Sequence, residues 1–379
     1  MKEYLQSEET AMLELLEKLV NVDSGSYNKQ GVDQIVQILQ QEFNQLNFDT
    51  HINEEKEFGN QLIVTHKEAT NPTTLLVLHM DTVFGKGTAE ERPFTIKENM
   101  AYGPGVIDMK GSHVTTLFAV KALLQDHADA LKSVKILFTS DEEIGAPAGK
   151  AVIEKHASGM KYALVMEPAR TDGSLVSSRR GGGLYKMEVS GRAAHSGIEP
   201  EKGRSAIEEL SHKVIKLHAL SDHENGISVN VGLINGGSSV NTVAPKATAE
   251  IDIRITKMDQ AEPLAKKIEE ICATPDIDGT SIHLEGGITR PPMEKNSQTI
   301  ELLHTIKEVG ADIGLEITDI STGGGSDASF TSAMGIATID GLGPKGGNQH
   351  NEGEYLEIET LVERAELLAE VLKKLANLK

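Results

Sequence analysis

A chain of 379 residues exceeds what one hydrophobic core usually organises, so two domains are expected, with one able to interrupt the other. Its 39% hydrophobic and 25% charged residues exclude wholesale disorder. The formal charge of −20, with no basic stripe, argues against a nucleic-acid partner, because phosphate recognition needs clustered Lys and Arg.

The opening segment, MKEYLQSEETAMLELLEKLV, mixes charged and apolar residues at helical spacing and lacks the unbroken apolar stretch of a signal peptide. No run approaches the ~18–20 apolar residues needed to cross a bilayer, so a cytoplasmic protein without membrane contact is expected. Residues 8–48 read as two amphipathic helices separated by VDSGSYNKQGVD, whose Ser, Gly and Asp residues supply a break and caps. Three short apolar runs that end abruptly in polar residues then read as buried strands: LLVLHMDTV (75–83), VKILFTSDEE (134–143) and KYALVMEPA (161–169). Between the first two, SHVTTLFAVKALLQDH has a helical pattern. Alternating strands and helices predict an α/β layered domain, whose ligands usually lie beyond the carboxyl ends of the strands.

From about residue 183 the pattern changes to LYKMEVSG, SAIEELSHKVIKLHAL, GISVNVGLINGG, KATAEIDIRIT, DQAEPLAKKIEEIC and SIHLEGG. This β-α-β-β-α-β order predicts an inserted α+β domain of ferredoxin-like type. After Pro291 and Pro292 the α/β pattern returns and ends in the helix LVERAELLAEVLKKLANL. The expected division is 1–180, an insertion at 181–289, and a return at 290–379. The single cysteine, Cys272, cannot form an internal disulfide, suits a reducing compartment, and lies in a helix-like stretch with no histidine near in sequence.

Several strand ends carry candidate chemistry. His79 and Asp81, two apart at the end of a strand, point to the same side. Asp108 lies in YGPGVIDMKG, where it can cap the following helix or bind a metal; the residues allow both. Glu142 and Glu143 lie just after ILFTS, and Glu167 follows ALVM. Acidic groups at the mouths of neighbouring buried strands repel one another and lose hydration, so a compensating cation is expected. His350, in the turn-rich GPKGGNQHNEGEYLEI, would add a second imidazole, and two His with three or four carboxylates suit a zinc pair.

The segments LLVLHMDTV, GPGVIDMKG, TSDEEIGA, MEPA, GRAAHSG, TGGGSDAS and HNEGEYL, in this order, resemble the dinuclear zinc aminoacylase and carboxypeptidase family. That family includes acetylornithine deacetylase, succinyl-diaminopimelate desuccinylase, peptidase T and the glutamate carboxypeptidases, the branch this chain resembles most. The resemblance covers nearly the whole chain. It implies a zinc-peptidase catalytic domain with a mixed sheet flanked by helices, plus an inserted ferredoxin-like dimerisation or lid domain.

Position by position, the resemblance makes Asp108 the carboxylate shared by two divalent metal ions, zinc with cobalt or manganese as substitutes. His79 and Glu167 would complete one site, Glu143 and His350 the other. Asp81 would orient the His79 imidazole, Glu142 would be the general base, and the Asp108–Met109 peptide would be cis. His195, in SGRAAHSG, matches a residue that donates to the developing oxyanion and comes from the partner subunit in dimeric members, which implies a homodimer through the insertion. Arg254, Arg290 and Asn241 match contacts to the substrate's carboxylate, and Gly324 in TGGGSDAS matches a backbone wall beside it. The implied activity is hydrolysis of a small peptide or N-acyl amino acid next to a free carboxylate. A biosynthetic deacylase and an inactive metal-binding protein are the alternatives. One departure stands out: TDGSLVSSRRGG has Arg179 and Arg180 but no lysine where a glutamate-specific relative contributes one, which puts a glutamate side-chain preference in doubt.

Overall fold

The three apolar runs become neighbouring strands because each can bury both faces, the usual environment of parallel strands. In the computed structural model, which describes residues 1–378, Thr74–His79 pairs in parallel with Val134–Thr139 on one side and Tyr162–Val165 on the other. Ala337–Asp340 extends this parallel centre from Tyr162–Val165. Phe48–Asn53 and Gln61–His66 add antiparallel pairs at one edge, and Leu175–Arg179 pairs antiparallel at the other with Asp319–Thr322 beyond it, completing an eight-stranded mixed sheet.

The helix Gly111–Asp126 is apolar on nearly every side and almost wholly buried, as expected for a helix covered all round. It packs against the long helix Glu359–Ala376. The predicted break after Val20 is real: the helix Glu9–Val20 ends there, and the Asn28 side chain caps Lys29–Gln45 by accepting from the Gly31 N–H.

The chain divides into two compact units. The first comprises Met1–Ser178, Lys295–Thr322 and the chain from Ser326 onward; the second is Arg179–Glu294 with Gly323–Gly325. In the second unit, an antiparallel sheet is ordered Ser228–Gly236, Lys246–Ile255, Gly181–Ser190, Ser281–Arg290, with the helices Ala206–His218 and Ala261–Ala273 between strands. Strict alternation along Gly181–Ser190 turns Tyr185, Met187 and Val189 into a core with Ile251, Ile253, Leu210 and Ile268. The last strand stays paired as far as Arg290, opposite Gly182, and the second unit extends to Glu294. Cys272 is buried in the second helix.

No described helix is long and apolar enough to cross a membrane.

Candidate metal centre

The parallel strands release their chains at one edge of the first unit's sheet, and the residues just beyond those ends converge. His79, the last residue of its strand, is buried. Its Nδ1 meets the Asp81 carbonyl oxygen at 2.9 Å, so the Nδ1–H donates there and Nε2 is the nitrogen presented to the cluster. That Nε2 lies 3.1 Å from Asp108 Oδ1 and 3.6 Å from Glu167 Oε1. Asp108 turns its other oxygen, Oδ2, to His350 Nε2 at 3.4 Å, and the same Nε2 lies 3.2 Å from Glu143 Oε2. The five residues matched to the ligand pattern thus form one chain of contacts, with Asp108 in the middle and one imidazole on each of its oxygens. Ligand atoms of His79, Glu142 and Glu167 lie within 4.8 Å of one another, as do those of His79, Asp108 and Glu143.

The helix after Asp108 begins at Gly111 without a side-chain cap, so the capping alternative falls away. The Asp108–Met109 peptide is cis. His350 has a left-handed backbone, with φ of 61°, a conformation that asparagine, aspartate and histidine adopt more readily than other non-glycine residues.

Asp81 does more than face His79. Its carboxylate is 3.5 Å from His79 Nδ1. It also accepts from the backbone N–H groups of Glu142 and Glu143, at 3.1 and 3.2 Å, and from the Ser26 hydroxyl at 2.6 Å. One buried carboxylate therefore fixes the turn that presents both glutamates.

Two positioning residues escaped the sequence reading. Glu354 is buried and accepts from the N–H groups of Gly105, Ile107 and Asp108, at 3.1, 2.9 and 3.1 Å, which clamps the turn carrying Asp108. Its only signal was an acidic residue inside HNEGEYL, four after His350. His113 is buried on the apolar helix and its Nε2 lies 2.7 Å from the His79 carbonyl. A histidine on so apolar a helix was the available sign.

The electrostatics describe a site short of positive charge. Burial pushes the Glu167 carboxyl well above its usual range, and the nearby Asp108 charge adds to this. Burial likewise raises Glu143, offset in part by the His350 hydrogen bond. Burial would lower His79, but hydrogen bonds to Asp108 and Asp81 outweigh it and hold the imidazole well above its ordinary value. Hydrogen bonds to Asp108 and Glu143 push His350 up to about 10. Burial would raise Asp108, yet its two imidazole partners bring it well below the ordinary carboxylate range. Without another cation, the histidines thus serve as counter-charges for the carboxylates. The Oε1 of Glu143 is buried without a hydrogen-bond partner, which a bound cation would account for. A divalent cation pair fits this donor set: it would accept the orphan oxygen and take over the role of the imidazole protons.

In the second unit, Arg254 and Arg290 both pair opposite Gly182. Arg254 is held by Asp252, with Nε–Oδ2 and Nη2–Oδ1 distances of 3.1 and 2.9 Å, so one face of its guanidinium is already engaged. The Gly324 carbonyl accepts from Arg179 Nη1 at 3.0 Å, a partner that was noted in the sequence but given no role. His195 and Asn241 lie in adjoining loops: His195 bridges Thr242, and Ser196 N–H donates to the Asn241 carbonyl. Those loops follow Ser190 and precede Lys246, the far ends of the strands that carry Gly182 and Arg254. Eight residues of strand, ~26 Å at ~3.3 Å per residue, separate the pair His195 and Asn241 from the pair Arg254 and Arg290. The unit does not bring these four together.

The donor set could hold a metal pair at the strand ends of an α/β domain, and comparison with known proteins gives the family. The model of peptidase family M20/M25/M40 matches residues 75–374, and the chain belongs to that family. It is 27% identical over 376 residues to carboxypeptidase G2 of Pseudomonas sp. strain RS-16, covering 97% of this chain and 90% of that protein. It is 28% identical over 297 residues to succinyl-diaminopimelate desuccinylase of Ectopseudomonas mendocina, covering 74% and 75%. Its fold is shared with aminopeptidase PepT of Bacillus cereus at a TM-score of 0.81 and 21% identity, over 97% of this chain and 99% of that one. A dinuclear metal binding peptidase of Bacillus subtilis matches at a TM-score of 0.72 and 15% identity, over 99% of both chains. The chain is accordingly a hydrolase of the metallopeptidase class.

Proposed function

We propose that the chain hydrolyses an amide bond, peptide or N-acyl, next to a free carboxylate, using two divalent ions shared by Asp108. The observation that carries this reading is the Asp108 carboxylate itself, with His79 on one oxygen and His350 on the other, and Glu167 and Glu143 alongside. When bound, a cation pair lowers the pKa of the attacking water and polarises the scissile carbonyl. The protein's own part is positional. His79 and Glu167 would hold one ion, and Glu143 and His350 the other. Glu142, beside His79 and Glu167, would take the proton from the attacking water and return it to the leaving amine. Asp81 and Ser26 keep Glu142 in place through its own N–H. Zinc suits the two imidazoles and the carboxylates, with cobalt or manganese as substitutes.

The placement of His195 and Asn241, ~26 Å of strand from Arg254 and Arg290, favours a homodimer in which the two pairs act on one substrate from different subunits. Arg254 and Arg290 would grip the carboxylate, and Gly324 would line its pocket. A biosynthetic deacylase is the second reading, favoured by the match to a succinyl-diaminopimelate desuccinylase over three quarters of the chain. A panel of N-acyl amino acids, dipeptides and tripeptides, assayed with zinc, cobalt or manganese and with chelator, separates the readings. An exopeptidase accepts many members, whereas a biosynthetic deacylase strongly prefers one acyl amino acid. Full turnover in metal-free protein defeats both. Sedimentation that finds only monomers removes the role of His195 from a partner.

A further inference from the structure

Next to this centre, wholly within the first unit, a cavity of about 460 Å³ opens between the loop at Gly25–Asn28 and the loop at Thr82–Lys86. The two loops are fixed to each other. Thr82 N–H donates to the Ser24 carbonyl at 2.9 Å, and the Asp23 carboxylate accepts from Gly87 and Ala89 N–H at 2.6 and 2.7 Å. A Cβ on Gly25 would come within 2.4 Å of the Phe84 carbonyl oxygen, so glycine is what permits this approach. Glu143 belongs to the cavity's lining, which sets the cavity beside the metal centre.

The polar side chains of the lining are mostly spent on the protein. Ser26 donates to Asp81, Asn28 bonds Gly31 N–H and the Asp23 carbonyl, and Thr82 accepts from Phe84 N–H. What faces the space is Tyr27, Val83, Phe84 and Ile144. Tyr27 is 78% exposed and Val83 43%, apolar surface left uncovered on loops that are otherwise well tied. Such a volume and lining are typical of a small-molecule subsite.

We infer that this cavity is the subsite for the acyl half of the substrate and that it takes an apolar side chain or acyl group. The inference rests on the proposed function: the carboxylate half is there assigned to arginines of the second unit, and the acyl half needs a place beside the reacting carbonyl. Lys86 is the lining's one cation, and it is exposed.

Gly85 gives a clean test, because a Cβ there meets nothing within 4 Å and its backbone is not left-handed. Gly85→Leu therefore adds a bulky apolar side chain on the cavity's lining with no clash at its Cβ. With one common amino acid as leaving group, kcat/KM is measured for N-acetyl, N-succinyl and N-phenylacetyl substrates. The wild type is expected to favour phenylacetyl over acetyl by at least tenfold, since each buried methylene is worth about fourfold. In Gly85→Leu the phenylacetyl value falls at least tenfold and the acetyl value stays within about threefold. Equal losses across the series, or none, overturn the inference, as does a succinyl preference abolished by Lys86→Met. Phenylacetate binding followed by ligand-observed NMR makes the two levels separable. If the wild type cleaves no amide yet binds phenylacetate in a manner lost in Gly85→Leu, the subsite stands and the proposed function fails. If binding is unchanged by the substitution, the subsite fails whatever the turnover.

Discussion

Each of the two units buries a group of charged side chains, and the groups are built on opposite principles. In the second unit, Glu209 and Lys213 lie one turn apart on a helix and are both fully buried, 3.0 Å from each other. Lys213 also reaches Asp276 at 2.7 Å, Asp276 pairs with Lys216, and Glu209 accepts from Asp276 N–H, Ile277 N–H and the Thr280 hydroxyl. Two cations face two anions and every carboxylate is satisfied. Burial would raise Glu209 and lower Lys213, yet the partners reverse both shifts and favour the charged forms. At the metal centre the shifts of Glu143 and Glu167 go the other way, and one buried oxygen has no partner. A buried charge group complete in itself reads as structure; one that the protein leaves incomplete reads as a place for something else.

The largest expected effect separates roles inside the incomplete group. Glu142→Ala should lower kcat by about 10²–10⁴, the range for loss of a general base, while elemental analysis still finds close to two metal ions per chain. Loss of the metals together with activity would make Glu142 a ligand instead. The next effect sets the units against each other. Lys213→Met leaves Glu209 buried without its cation and should cost about 3–5 kcal/mol in denaturant unfolding. Glu167→Gln should instead raise the stability of metal-free protein, because it removes a carboxylate whose charged form the fold opposes. If both variants destabilise metal-free protein alike, the contrast between the two groups is wrong.

The same contrast explains what the sequence disclosed. Strand ends with abrupt acidic residues exposed His79, Glu142, Glu143 and Glu167, because buried runs and their polar stops are local patterns. The β-α-β-β-α-β order of the second unit was equally legible from alternation. The short strand Ala337–Asp340 and the hairpin of Phe48–Asn53 with Gln61–His66 were not, since a few residues of mixed pattern leave the decision to tertiary packing. Lys213 reads as a solvated helix residue in SHKVIKLH, and only the fold reveals Asp276 opposite it. Glu354 and His113 were missed for the same reason, as their partners are backbone groups 246 to 249 residues away for Glu354 and 34 away for His113. Arg254 was singled out by motif, but its Asp252 partner two residues earlier on the same strand face was within reach of the alternation rule.

Glu354 yields a smaller effect that sharpens the comparison, because it holds the incomplete group in shape without belonging to it. In Glu354→Gln one oxygen remains an acceptor while the other position becomes a donor facing a backbone donor. The Asp108 turn should loosen and metal affinity fall about 10–100-fold, as for other residues that position ligands. Competition with a chromogenic chelator measures this without any assay of turnover. Unchanged affinity would mean that the Asp108 turn holds its shape without this clamp.

The smallest effect is in pH, and its sign differs between the two groups. Hydrogen bonds to Lys213 and Lys216 bring Asp276 down to about 2 from an ordinary 3.8. A lowered carboxylate stabilises the fold above its unfolded pKa, and the contribution disappears as pH falls from about 4 to about 2. Glu167 is raised from an ordinary 4.5, so it destabilises metal-free protein at neutral pH, and that penalty fades as pH falls to about 4.5. Melting temperatures of metal-free wild type, Asp276→Asn and Glu167→Gln, followed from pH 7 to pH 3, should show both differences shrinking with acid from opposite sides of zero. The Glu167 difference closes first, because its titration begins from above. Two differences of the same sign would show that the metal centre, like the ion network of the second unit, is satisfied by the protein alone.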